Sequence, residues 1–207
     1  MKSCLIVVDI QKDFLPGGAL GVKGGDKIVP KINALIHQFD HCVACIDWHP
    51  KNHCSFATTH HKKVGERVKV GDLEQILWPV HCVQNTPGAA FADELDTSTF
   101  EQVFHKGSDP DIDSYGAFFD NGHKRDTGLH AYLQDLEVGH LFVAGLTTEY
   151  CVKYTALQAR QLGYKVSVIL DACKPVELSP GDESRALEEM KGAGATLMST
   201  LEFPVER

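Results

Sequence analysis

The feature that most constrains this chain is an alternation of short apolar runs with stretches of helical spacing. Cys4 to Val8, Cys42 to Ile46, Gln102 to Phe104, Leu141 to Leu146, Lys165 to Leu170 and Ala195 to Met198 have strand length. Between them, Lys27 to Phe39 places Ile28, Ile32, Leu35, Ile36 and Phe39 one helical turn apart. Leu129 to Leu136, Val152 to Leu162 and Glu183 to Met190 read the same way, with Gly163 as a stop signal. Strands that are apolar along their whole length belong in a parallel sheet covered on both faces. The pattern predicts a three-layer α/β/α fold with a mainly parallel six-stranded sheet. At 207 residues the chain suits a single domain spanning 1–207.

One stretch breaks the rhythm. From Asp47 to about Gln102 only a weak helical pattern shows, around Ala89 to Leu95. This region, about 47–100, holds both tryptophans and five of the eleven histidines. A long irregular segment inside a compact domain is more often functional than incidental.

Composition narrows the function classes. The net charge is -8 and the basic residues form no run, which argues against a nucleic-acid partner. The apolar run near the start is too short for a signal-peptide core or a membrane span. Seven cysteines cannot all pair with one another, so reduced thiols and a cytoplasmic location are expected.

In open parallel sheets ligands bind beyond the carboxyl ends of the strands. Those ends carry Asp9, Asp47, His105 with Lys106, and Gly145-Leu146-Thr147-Thr148. An Asp at a strand end often only caps a turn, but four consecutive ends bearing polar chemistry point to a site. Cys151 follows in what reads as the first turn of a helix. A lone Cys is usually a small buried hydrophobe, yet a helix N-terminus stabilises a thiolate and offers N–H groups to an oxyanion. Half-ionising a thiol at pH 7 requires roughly 2 kcal/mol, and a helix terminus supplies about 0.3–1 kcal/mol. Lys106 is the cation expected to supply the rest, and Asp9 the general base. Among the other cysteines, Cys42 and Cys45 are expected on opposite faces of one strand, and Cys4 and Cys173 in or near the core.

Asp47 and His49 stand two apart, so an extended chain directs both the same way, and His81 would complete a two-His-one-carboxylate set. The spacing alone serves equally well a polar loop whose histidines face solvent. His60 and His61, beside Lys62 and Lys63, read as solvated charge without a role.

Six ordered motifs carry a resemblance. They are Val8-Asp9-Ile10-Gln11-Lys12-Asp13-Phe14, Asp47-Trp48-His49-Pro50 with His53 and Ser55-Phe56, Trp78-Pro79-Val80-His81-Cys82-Val83, Phe104-His105-Lys106-Gly107, Asp113-Ser114-Tyr115, and Gly145 through Val152. On these the chain resembles the nicotinamidase/pyrazinamidase enzymes of the isochorismatase-like cysteine hydrolase superfamily. The resemblance implies hydrolysis of nicotinamide, in NAD salvage, through a thioester on Cys151 of an Asp9, Lys106 and Cys151 triad. It implies one divalent metal ion, zinc with iron or manganese as alternatives, on Asp47, His49 and His81, with His53 nearby as a further candidate ligand. It also implies ring packing by Phe14, Trp78 and Tyr115, an oxyanion hole from the amides of Thr147 and Cys151, and a cis peptide before Thr147. Homo-oligomerisation stays open. The chain departs from the usual Ala-Thr-Asp of these enzymes at Thr147-Thr148-Glu149. Rival readings are an amidase for a carbamoyl compound, the vinyl-ether-cleaving branch, a metallohydrolase, and a non-catalytic metal binder.

Overall fold

The computed structural model describes residues 1–203. In chain order the elements are β1 (Lys2–Val8), α1 (Val29–Leu35), β2 (His41–Asp47), β3 (Arg67–Val70), β4 (Leu73–Ile76), β5 (Gln102–Lys106) and α2 (Leu129–Asp135). There follow β6 (Val138–Leu146), α3 (Lys153–Gln161), β7 (Lys165–Lys174), α4 (Asp182–Gly192) and β8 (Thr196–Met198). Six strands form one sheet in the order β5-β2-β1-β6-β7-β8, and every pairing in it is parallel. From β1 the chain builds outward to β2 and β5, then returns to lay β6 on the other side of β1. That reversal opens a crevice between the carboxyl ends of β1 and β6.

Side-chain alternation explains the two cores. Cys4, Ile6 and Val8 of β1 face one apolar cluster with Leu129 and Leu133 of α2 and Ala156 and Ala159 of α3. Leu5 and Val7 face the other, against Ile32 and Leu35 of α1. Cys42 and Cys45 fall into different clusters, as their odd offset requires. Cys4 and Cys173 are buried in the core.

The segment between β2 and β5 differs from expectation in two ways. It carries a short antiparallel hairpin, β3–β4, that the sequence did not announce. Instead of a helix near Ala89 to Leu95 there is a single 3-10 turn at Pro87–Ala89, after which Phe91 bridges to Gln11. Main-chain bonding to Ile10 and Lys12 uses the groups a helix would need. No helix among the described residues is long and apolar enough to cross a membrane.

Candidate active site

Register places the central ion pairs. Asp47 and Lys106 are direct partners across β2 and β5, so their side chains leave the same face of the sheet. Their carboxylate and ammonium form an ion pair. Asp9 follows β1 with a left-handed backbone (φ 52°), a conformation Asp tolerates better than most residues. Its Oδ1 accepts the Asp47 amide at 3.0 Å, and its Oδ2 lies 2.9 Å from Lys106 Nζ. Gln11, fully buried, holds Asp47 on both sides of its peptide, accepting its N–H at 2.9 Å and donating to its carbonyl at 2.8 Å.

Cys151 arrives from the other side of the crevice. At Gly145 the backbone of β6 adopts φ 132°, and a Cβ there would strike the Val8 carbonyl, so only glycine lets β6 lie this close to β1. The Leu146–Thr147 peptide is cis. The turn that carries Cys151 is not the first turn of an α-helix that the sequence predicts. Thr148–Val152 forms a wider π-turn, closed by the Val152 amide on the Thr147 carbonyl at 3.1 Å, and α3 begins only at Lys153. Lys106 Nζ stands 3.3 Å from Cys151 Sγ, and that sulfur lies within 4.8 Å of an Asp9 carboxylate oxygen.

Electrostatics in this pocket correct a second expectation. Burial, then the Asp9 charge, pushes the Cys151 thiol well above its ordinary value, and Lys106 offsets this only in part. Lys106 already serves two carboxylates, so the three charged groups sum to one net negative charge, which opposes a free thiolate. Burial likewise pushes the Asp9 carboxyl up to about 7 against the pull of Lys106. The proton therefore rests on sulfur beside a carboxylate able to take it.

Asp47 behaves oppositely. Burial raises its pKa, but Lys106, His49 and His81 outweigh burial and hold it well below the usual range. Its Oδ2 lies 3.3 Å from His49 Nε2 and 3.4 Å from His81 Nε2. His49 Nδ1 bonds the Gly107 carbonyl at 2.8 Å and His81 Nδ1 bonds the Pro79 carbonyl at 2.8 Å. A carbonyl only accepts, so each ring donates from Nδ1 and turns Nε2 toward the Asp47 oxygen, the nitrogen whose lone pair a metal would take once its proton is lost. Gly107, at φ 64°, lies where a Cβ would overlap the His49 ring. A carboxylate and two imidazoles that converge, each ring with its outer nitrogen tied to a carbonyl, are the donor set of a divalent metal, and the residues fit one.

His53 is different. Its Nδ1 accepts the Ser55 amide at 3.3 Å and bonds the Ser55 hydroxyl at 2.7 Å, which leaves the proton on Nε2. That Nε2–H, fully buried, faces Asp113 Oδ1 at 4.0 Å. Burial and the neighbouring His49 push its pKa down to about 4. It thus presents a donor where a ligand needs a lone pair. His60 is half-buried and bonds the Cys54 carbonyl at 2.7 Å, so it is not simply solvated; His61 is exposed.

A small cavity, open on one side to solvent, lies between the two groups of residues. Phe14, Trp78, Tyr115, Thr147 and Cys151 line it, together with Asp47, His49 and His81. Leu20, Asp113, Tyr150 and Val176 line it too, and sequence reasoning gave them no role. Tyr150 meets Trp78 edge to face at 4.9 Å, and its place beside Cys151 was the available signal. Leu20 and Val176 carried none, since both sit in irregular chain.

A model of the isochorismatase domain matches residues 3–202. The chain is 46% identical over 203 residues to a nicotinamidase of Escherichia coli, covering 96% of this chain and 95% of that one. The structure resembles a nicotinamidase/pyrazinamidase of Acinetobacter baumanii with TM-score 0.95 at 40% identity, covering 97% of each chain. It also resembles a pyrazinamidase of Pyrococcus horikoshii in complex with zinc, with TM-score 0.78 at 39% identity, covering 96% of this chain and 99% of that one.

Proposed function

The chain belongs to the isochorismatase family, and from that premise we propose that it hydrolyses nicotinamide to nicotinic acid and ammonia, and pyrazinamide to pyrazinoic acid, as a step of NAD salvage. The observation that carries this reading is the meeting of Asp9, Lys106 and Cys151 in one cavity with the Asp47, His49 and His81 set. We read residues 1–207 as one hydrolase domain in which the segment of about 47–100 supplies all three metal-binding side chains. Seven unpaired cysteines support a reducing, cytoplasmic setting.

Asp9 takes the proton of Cys151 as the sulfur attacks the carboxamide carbon. Coupling transfer to attack avoids a free thiolate in a pocket that disfavours one. The amides of Thr147 and Cys151 receive the oxyanion, where a single donor contributes roughly 2.7–4 kcal/mol. Lys106 balances the charge of Asp9 and Asp47 throughout. The carbon–nitrogen bond then breaks, Asp9 passes its proton to the departing nitrogen, and a thioester remains. Asp9 next accepts a proton from water as the water oxygen bonds the carbonyl carbon. The carbon–sulfur bond breaks, the acid leaves, and sulfur recovers its proton. Phe14, Trp78 and Tyr115 pack the ring. A divalent ion on Asp47, His49 and His81, zinc in our reading, with iron or manganese as alternatives, would orient the ring by binding its nitrogen.

Ammonia release from nicotinamide, with benzamide alongside as the analogue lacking the ring nitrogen, tests this. Rapid turnover of nicotinamide and little of benzamide is expected. Turnover of neither would overturn the substrate assignment, and equal turnover would remove the ring nitrogen from the argument.

A further inference from the structure

Glu149 is a buried carboxylate (4% exposed) that does not itself line the cavity, although Thr147, Tyr150 and Cys151 around it all do. Its two oxygens reach across the carboxyl end of the sheet to the segment after β7. Oε2 accepts the Val176 amide at 3.3 Å and Oε1 accepts the Glu177 amide at 2.5 Å. Val176 lines the cavity and, with Leu20, packs on the core cluster on the α1 side of the sheet. Glu177 holds a left-handed backbone (φ 48°), unusual for a residue with a Cβ, so its segment is bent where Glu149 grips it. One side chain from the nucleophile turn therefore fixes the backbone of the opposite wall.

Resting on the reading of this site as a pyridine-carboxamide hydrolase, we propose that Glu149 is a positioning residue for substrate fit, holding Val176 against the ring while Cys151 addresses the carboxamide. The side chain acts through Val176 and takes no part in bond making. Its two acceptor oxygens match two adjacent N–H groups, which a neutral amide cannot do, since one end of it is a donor. A loosened wall weakens ground-state and transition-state binding alike, so KM moves and kcat does not.

The experiment compares Glu149→Gln, Val176→Ala and the double variant on nicotinamide and on 5-methylnicotinamide, with metal content checked in each. Each single variant should raise KM for nicotinamide about tenfold, the scale of a lost methyl contact in an apolar pocket, with kcat within about twofold. The methylated substrate should gain relative to nicotinamide, and the double variant should be no worse than the poorer single one, because both changes release the same wall. Additive effects, or a fall in kcat with KM unchanged, would overturn the proposal, the latter assigning Glu149 to the nucleophile turn instead. If Glu149→Gln does not fold, Glu149→Asp, whose shorter arm reaches one amide, takes its place under the same criteria. Wild-type turnover of nicotinamide is measured first. Its absence overturns the substrate reading and this inference together, whereas unchanged KM in active variants overturns this inference alone.

Discussion

Lys106, with 1% of its surface exposed, shares one ammonium among Asp9, Asp47 and Cys151. Burial alone would favour the neutral amine, but the two carboxylates outweigh it and hold the pKa well above the usual lysine value. Removing that charge leaves two carboxylates buried together. Lys106→Met should therefore lower stability by about 3–5 kcal/mol, in the range found for breaking buried ion pairs, and should abolish turnover; urea unfolding and an ammonia assay measure both. Cys151→Ala removes no charge and should fold normally. It should lose all turnover while keeping its metal, as elemental analysis will show, and substantial residual amidase activity would sink the covalent route.

The elements were legible to different degrees, for physical reasons. Strands of the main sheet are apolar on both faces, so β1, β2, β6 and β7 stood out as continuous runs. The β3–β4 hairpin did not, because Arg67–Val70 and Leu73–Ile76 lie on the surface with charged residues between half-buried ones. Its one buried side chain is polar: Gln75 donates to Asp113 Oδ2 at 3.0 Å and to the Tyr115 hydroxyl at 3.3 Å. Trp78 Nε1 donates to the same hydroxyl at 3.2 Å, so the hairpin braces the aromatic wall of the cavity. Gln75→Leu should cost about 1–3 kcal/mol through unpaired buried acceptors and raise KM, measured by denaturation and steady-state kinetics. The site itself was readable because its charged residues end strands, and strand ends are visible in sequence. The grip of Glu149 was not, because it joins two irregular segments and a hydrogen bond to backbone leaves no pattern in side chains.

At the scale of the whole molecule, Asp171 ties three parts of the chain together. It accepts from Lys31 Nζ of α1 at 2.9 Å and from the Thr200 amide, beyond β8, at 2.8 Å. Burial pushes its pKa up, yet the bonds from Thr200 and Lys31 outweigh this and bring it down to about 2. A depressed carboxyl stabilises the fold fully above its unfolded value of about 3.9 and loses that contribution as pH falls through the folded value. Asp171→Asn should thus melt below the wild type at pH 7, with the gap closing between about pH 4 and pH 2; calorimetry across that range checks it. All seven cysteines are unpaired and buried, but Cys151 alone among them lines the cavity. The other six sulfurs are buried and line no part of that cavity, and burial raises their pKa values, whereas Cys151 alone has Asp9 close by to take its proton. A pyridine-based electrophile should consequently attach once per chain. One adduct, counted by mass spectrometry, would report the fraction of molecules competent to react, so the burial that stabilises the core also makes this protein its own active-site titrant.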